Sequence, residues 1–379
     1  MASAPQLLSV YVHLPWCVRK CPYCDFNSHP LQGGRVLPEA QYVTALLADI
    51  EAQSRRLQDR QIATLFFGGG TPSLFSAAAL AQILDRLRHL FTPMIEITLE
   101  VNPGTTEYHS LSDYFAIGIN RLSLGAQSFD NAQLQRLGRI HSTDEIFASF
   151  AQARKAGFDN INLDLMYGLP QQSAEGAMAD LASALALKPD HISWYQLTLE
   201  PKTEFARRPP ILPTDNTLEA IELEGYERLR STGFKRYEVS AFALGNRQCR
   251  HNVNYWSFGD YLGIGAGAHG KMTTLAAQPK LQIHRGVKPS QPRLYLADPE
   301  AGTTQLLGQE MLPGEFMMNV LRLIDGVSLE HFSRHTGLSL DALEPARTAQ
   351  IANGLLQPHR LAATPRGFAV LDSLIQDYI

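Results

Sequence analysis

What most restricts the fold of this chain is a regular alternation of short apolar segments and helical stretches through its first two hundred residues. Segments of strand type fall at Leu7–Leu14, Ile62–Phe67, Glu96–Val101, Arg121–Leu124, Asn160–Leu165 and His191–Leu197. Helical stretches lie between them, near Glu39–Leu57, Ala77–Leu90, Ile146–Ala156 and Ala177–Leu187. Strands separated by helices do not pair as hairpins. Each helix crosses back over the sheet, which makes neighbouring strands parallel. Six such units fall short of a closed eightfold barrel. The expected fold is α/β, a partial (β/α)6 TIM-like barrel, with its functional loops at the C-terminal strand ends.

After Pro201 the rhythm changes. Arg207–Pro213 is rich in arginine and proline and reads as a linker. A helix is predicted near Leu218–Ser231 and a strand near Tyr237–Ala243, followed by a polar-aromatic stretch, Cys249–Trp256, and a glycine-rich one, Gly259–Gly270. From about Gly314 the chain is predicted to be mostly helical, ending in a short β-like return over Leu361–Leu371, the outline of a winged helix. The expected division is a barrel over residues 1–205, a barrel extension over 206–305 and a smaller C-terminal, mostly helical, winged-helix-like domain over 306–379. The formal charge of −4 lacks the basic excess of a general nucleic-acid binder, so no nucleic acid is expected and the last domain reads as a packing or docking module. No apolar run reaches eighteen residues, so no membrane-spanning helix is expected. The residues up to Trp16 lack a basic start and a small-residue cleavage pattern, so no cleaved signal peptide is expected.

Three of the four cysteines fall within eight residues, as Cys17-Val-Arg-Lys-Cys21-Pro-Tyr-Cys24, in the loop after the first strand. This is no disulfide framework, and a reducing cytoplasm fits it better. Thiolates suit zinc or an iron–sulfur cluster. Zinc needs a fourth protein ligand, for which His13, His29 or the distant Cys249 are candidates. A [4Fe–4S] cubane on three thiolates leaves one iron without a protein ligand, open to the amino and carboxylate groups of S-adenosylmethionine (SAM), while the protein positions the cofactor and excludes water. Further polar residues follow the other strands. The second strand runs into Phe67-Gly68-Gly69-Gly70-Thr71-Pro72, where glycine lets backbone approach a ligand closely or simply makes a tight turn. Glu100, Gln127, Arg139, Asp164 and Thr198 lie at or beyond the ends of the third to sixth strands.

The CxxxCxxC spacing with an aromatic, Tyr23, before the third cysteine is the signature of the radical SAM superfamily. Within it the chain resembles the oxygen-independent coproporphyrinogen III oxidase-like branch. The matching stretches are Tyr11-Val-His-Leu-Pro-Trp-Cys17, Gly68-Gly-Gly-Thr-Pro-Ser73, Leu99-Glu-Val-Asn-Pro103, Ser123-Leu-Gly-Ala-Gln-Ser-Phe129, Leu137-Gly-Arg139 and Asp164-Leu-Met-Tyr-Gly-Leu-Pro170. The resemblance implies a [4Fe–4S] cluster on Cys17, Cys21 and Cys24. It also implies a SAM site lined by Tyr11, Tyr23, Gly69, Gly70, Thr71, Glu100, Gln127, Arg139, Asp164 and Thr198. Two features separate the chain from the oxidases. They carry a further cysteine where this chain has Phe26, and a long N-terminal extension where this chain has sixteen residues before Cys17.

The chain is more similar to the HemW heme-chaperone family, which carries an HNxxYW motif. Here that motif is His251-Asn252-Val253-Asn254-Tyr255-Trp256, preceded by Cys249-Arg250. The similarity implies heme bound at His251, Asn252, Tyr255 and Trp256 and delivered to acceptor hemoproteins, some of them respiratory and membrane-associated. It fits a cytoplasmic protein, at most peripheral to the membrane, and leaves room for a homodimer. Imidazole is a common axial ligand of heme iron, with Cys249 and His269 as alternatives and Arg250 as a partner for a propionate. The competing readings are a coproporphyrinogen III oxidase or another radical SAM enzyme acting on a porphyrin-like substrate. Coproporphyrinogen oxidase activity itself is not expected. The glycine-rich Gly259–Gly270 reads as close backbone packing or a ligand-facing loop.

Overall fold

A computed structural model describes residues 6–31, 36–57, 60–105, 109–275 and 281–379. Six strands stand side by side in chain order: β1 (Gln6–Leu14), β2 (Arg60–Gly69), β3 (Phe91–Val101), β4 (Arg121–Gln127), β5 (Ile161–Tyr167) and β6 (His191–Gln196). Every neighbouring pair among them is parallel, as the strand–helix alternation requires. Six more strands extend the sheet: β7 (Lys235–Arg236), β8 (Ala241–Ala243), β9 (Tyr261–Ile264), β10 (His269–Leu275), β11 (Leu281–Val287) and β12 (Thr303–Leu306). The order across the sheet is β12-β11-β10-β9-β1-β2-β3-β4-β5-β6-β8-β7. β9 joins β1 in parallel, and the outer additions on both sides are antiparallel. With β12 and β7 at its two edges the sheet stays open, a partial barrel.

Alternation within the strands divides the two faces. In β5, Ile161, Leu163 and Leu165 are fully buried in the main core, whereas Asn162 and Asp164 line a cavity. The crossover helices supply the apolar cover. In Ala77–Leu87 the buried residues Leu80, Ile83, Leu84 and Leu87 recur at helical spacing, and the Ser76 hydroxyl accepts the Ala79 N–H. Thr143–Ala156 starts in a capping box between Ser142 and Glu145 and stops at Gly157, whose φ of 106° suits glycine alone. Each such cap contributes about 1 kcal/mol.

A second core gathers Phe258 and Ile283 with Leu312, Phe316, Phe332, Leu361 and Leu374. The C-terminal segment is therefore packed onto the HNxxYW region and β11. Its helices are Leu312–Val320, Leu329–Thr336, Ala346–Ala352, Pro365–Phe368 and Leu371–Gln376. The β-like return expected over Leu361–Leu371 is β only at its start. Arg360–Leu361 pairs with Val327–Ser328 and Ala363 bridges Leu356, and Thr364 then caps a new helical turn by accepting the Gly367 N–H. Of the strand expected at Tyr237–Ala243 only Ala241–Ala243 is strand, as β8; Tyr237–Ser240 make a tight reversal from β7, in which the Glu238 carboxylate accepts the Ser240 N–H and the Arg236 guanidinium donates to the Val239 carbonyl.

Candidate cluster and cofactor cavity

The loops after β1 and β2 are built on each other. The Gly70 N–H donates to the Leu14 carbonyl and the Thr71 N–H to the Trp16 carbonyl, each at 2.8 Å. A Cβ on Gly70 would lie 2.6 Å from the Trp16 carbonyl oxygen, so only glycine allows this approach. The Gly69 N–H donates to Glu100 Oε2 at 3.1 Å. The N–H groups of Gly69, Gly70 and Thr71 are thus already engaged within the protein. A parallel pairing of Trp16–Cys17 with His29–Pro30 closes the cysteine loop. The Asn27 amide pins it from outside, donating to the carbonyls of Ala266 and Ser290 at 3.0 and 2.9 Å. The glycine-rich stretch serves this packing: Gly267 has a φ of +77°, and a Cβ there would lie 2.2 Å from the Asn27 amide.

Cys17, Cys21 and Cys24 are free thiols on the wall of a cavity of about 500 Å³, within the range of small-molecule sites. Burial pushes the Cys17 thiol up to about 11, and the Cys24 thiol is raised for the same reason. Cationic metal reverses that preference, since a coordinating thiol is deprotonated outright. The zinc alternative fares poorly. His13 is engaged at both ring nitrogens, by the Tyr11 hydroxyl and the Asn27 carbonyl. His29 Nε2 lies 3.1 Å from Asn27 Oδ1. Among the described residues no group of three His, Cys, Asp or Glu side chains converges as one metal ion requires. Three thiolates on three corners of a cubane have no need to converge on a point. The donor set therefore fits a cluster.

The same cavity is lined by Tyr11, Tyr23, Gly69, Gly70, Thr71, Glu100, Gln127, Arg139 and Asp164. Thr198 lies apart: it is exposed beyond β6 and is not on the cavity wall. Burial raises Glu100 to about 8, with Asp164 adding to it and the Gly69 N–H opposing. Asp164 is also raised by burial and accepts from Ser123 and Asn162 at 3.0 and 2.8 Å. Arg139 donates to the Gly125 carbonyl at 2.9 Å and approaches the Cys21 sulfur at 3.8 Å, and among the described residues its Nε has no partner. Gln127 adopts a left-handed φ of 69° and accepts from the Tyr195 hydroxyl at 2.8 Å. Such backbone strain in a non-glycine residue clusters at binding sites.

The HNxxYW residues form a helix, Arg250–Trp256, and His251, Asn252, Tyr255 and Trp256 line this same cavity. Glu96 anchors the helix start. Its carboxylate accepts the N–H groups of Arg250 and His251, each at 3.2 Å, and the Cys249 thiol at 3.8 Å. Tyr255 stacks on Tyr261 at 4.0 Å between ring centres, and the Arg322 guanidinium lies over the Trp256 ring. Cys249 is buried off the cavity wall, its thiol pushed up to about 12, chiefly by burial. Arg250 is exposed and donates to the Met94 carbonyl, and His269 is exposed as well.

Several lining residues escape motif reading: Phe66, Arg121, Ser123, Asn162, Ser193 and Tyr195. The signal that finds them is a polar or aromatic residue at every second position of an otherwise apolar strand, as in Arg121-Leu-Ser123-Leu and Asn162-Leu-Asp164.

An open parallel sheet carrying a three-cysteine loop, a GGGTP turn and a row of polar strand ends defines a radical SAM protein. The family model for the radical SAM superfamily matches residues 11–182, and that for the HemN C-terminal domain matches 309–370. The structure is similar in fold to a coproporphyrinogen III oxidase, HemN, of Escherichia coli, with a TM-score of 0.81 and 22% identity, covering 99% of this chain and 91% of that one. In sequence the chain is 46% identical to the heme chaperone HemW of Haemophilus influenzae over 89% of this chain and 88% of that protein. It is 44% identical to the heme chaperone HemW of Escherichia coli over 98% of each, and 33% identical to that of Bacillus subtilis over 91% of each. The chain belongs to the HemW family of heme chaperones.

Proposed function

We propose that this chain is a heme chaperone that carries a [4Fe–4S] cluster and SAM and passes heme to acceptor hemoproteins. One observation carries the reading. The cysteine triad and the HNxxYW helix open on one cavity, and there His251 faces the same space as Cys17, Cys21 and Cys24. Those three thiols hold three irons, and the fourth, when present, supplies a site for the amino and carboxylate groups of SAM. Arg139, with an unsatisfied Nε, is placed to pair with the methionyl carboxylate. The Gly69 and Gly70 carbonyls suit the N–H bonds of the amino group. Glu100, Gln127 and Asp164 offer hydrogen bonds to ribose or amino groups, and Tyr11 and Tyr23 flank the site with aromatic surface. The imidazole of His251 is the heme-iron ligand in this reading, with Asn252, Tyr255 and Trp256 against the macrocycle.

No helix among the described residues is long and apolar enough to cross a membrane. We place the protein in the cytoplasm, with peripheral membrane contact where its acceptors are respiratory proteins, and allow it to form a homodimer. The test is anaerobic reconstitution with iron, sulfide and heme quantified, followed by SAM cleavage with and without heme or coproporphyrinogen. Bound iron, acid-labile sulfide and stoichiometric heme without coproporphyrinogen decarboxylation are the expected results. Stoichiometric zinc without sulfide would sink the cluster, and porphyrinogen product would make the chain an oxidase.

A further inference from the structure

Four histidines are buried in this fold: His13, His141, His191 and His251. In three of them both ring nitrogens are engaged. His13 meets the Tyr11 hydroxyl at 3.1 Å and the Asn27 carbonyl at 2.9 Å. His141 meets Asn102 Oδ1 at 3.0 Å and the Ala126 carbonyl at 3.2 Å. His191 meets Asn162 Oδ1 at 2.6 Å and the Tyr237 hydroxyl at 2.8 Å. His251 differs. Its Nδ1 lies 2.9 Å from Thr64 Oγ1, and among the described residues Nε2 has no hydrogen-bond partner. Of the four, His251 alone borders the cavity.

Proton counting fixes which nitrogen carries hydrogen. Thr64 has one hydroxyl proton, and it donates that proton to Ser9 Oγ at 2.7 Å. Toward His251 the Thr64 oxygen is left as an acceptor, so the proton in that contact sits on Nδ1. The ring is 4% exposed and among the described residues neither nitrogen meets a carboxylate, so it holds one proton rather than two. A neutral imidazole has one N–H, so Nε2 keeps its lone pair. The ring has little freedom to swap the two nitrogens. The backbone N–H of His251 is tied to Glu96, and the ring is packed between Phe66 at 5.1 Å and Tyr11 at 6.3 Å between centroids.

We infer that Ser9 and Thr64 are positioning residues that fix His251 as the Nδ1–H tautomer and present a bare Nε2 to the cavity as a metal donor. Metal-binding histidines are commonly fixed in this way, through a hydrogen bond at the other ring nitrogen. That the metal is heme iron rests on the function proposed above, whereas the tautomer does not.

The test uses the full-length chain labelled with nitrogen-15 at histidine. In heme-free protein the His251 signals, assigned with a His251→Gln variant, are expected to show a protonated Nδ1 and an unprotonated Nε2. Thr64→Val is expected to abolish that preference and Thr64→Ser to restore it. In heme titrations Thr64→Val is expected to weaken binding about tenfold and to change the heme spectrum, again with rescue by serine and with cluster iron and sulfide unchanged. A protonated Nε2 in the wild-type chain overturns the inference, and that spectrum decides the matter even if Thr64→Val fails to fold. So does an unchanged tautomer in Thr64→Val. If the tautomer is as stated but neither Thr64→Val nor His251→Gln alters heme binding, the heme assignment falls while the tautomer stands.

Discussion

The cysteine loop and the His251 helix face one cavity but are held in opposite ways. The loop is fixed by backbone bonds from the Gly70 and Thr71 N–H groups and by the side-chain amide of Asn27, while its three thiols have only weak sulfur contacts such as Cys24 with Ser28 at 3.7 Å. The helix is fixed through side chains. Glu96 holds its first N–H groups, and Thr64 takes one ring nitrogen of its histidine. One region is a frame whose thiols are held only by the loop that carries them. The other is pre-organised before any ligand arrives. The two are therefore expected to fail independently.

The largest expected effect is on the first region alone. Cys21→Ala is expected to reduce iron and acid-labile sulfide to background in anaerobic protein while leaving the heme spectrum in place. Joint loss of both would show that the regions are one unit. Next comes the pH response of the ligand-free chain. Glu100 rises from 4.5 to about 8 on folding, through burial and Asp164. The unfolded chain ionises first, so stability is full below pH 4.5 and drains away as pH rises through 8. Glu100→Gln is expected to flatten that slope in urea melts run across this window, and an unaltered slope would remove Glu100 as its source.

Glu96→Ala tests the second region. It strands two helix N–H groups and removes one of the negative charges felt through space by Arg121, which is 2% exposed. Leaving buried donors without an acceptor costs about 1–3 kcal/mol each, read as a lower denaturation midpoint. His251→Ala has the smallest effect, a loss of about tenfold in heme affinity, or ~1.4 kcal/mol, with the cluster retained. A heme titration unchanged by this substitution removes the ring as ligand.

Legibility in the sequence followed the range of the interactions. All six parallel strands were readable because their apolar content is local, and Cys17, Cys21 and Cys24 because they are eight residues of contiguous chain. Gly69, Gly70, Glu100, Gln127, Arg139 and Asp164 were readable as ends of strands that a parallel fold gathers together, and they do share one cavity. Thr198 obeys the same rule on paper but is exposed and off the cavity wall, while its neighbour Leu197 is the buried residue beyond β6. The C-terminal return was misread because Pro365 and the Thr364 cap start a helix in a stretch whose apolar residues also suit a strand.

What the sequence determined by itself is the parallel order of the strands and the clustering of three thiols in one loop, since both follow from local pattern and spacing. What only the tertiary structure decided is which interior residues stand beside His251. Ser9 faces Thr64 across β1 and β2, and Thr64 faces Glu96 across β2 and β3. Both registers depend on irregularities next to those residues, between Leu8 and Ser9 and between Ile62 and Thr64. A slip of one residue turns every side chain of a strand to its other face, and no local pattern records where a bulge will fall.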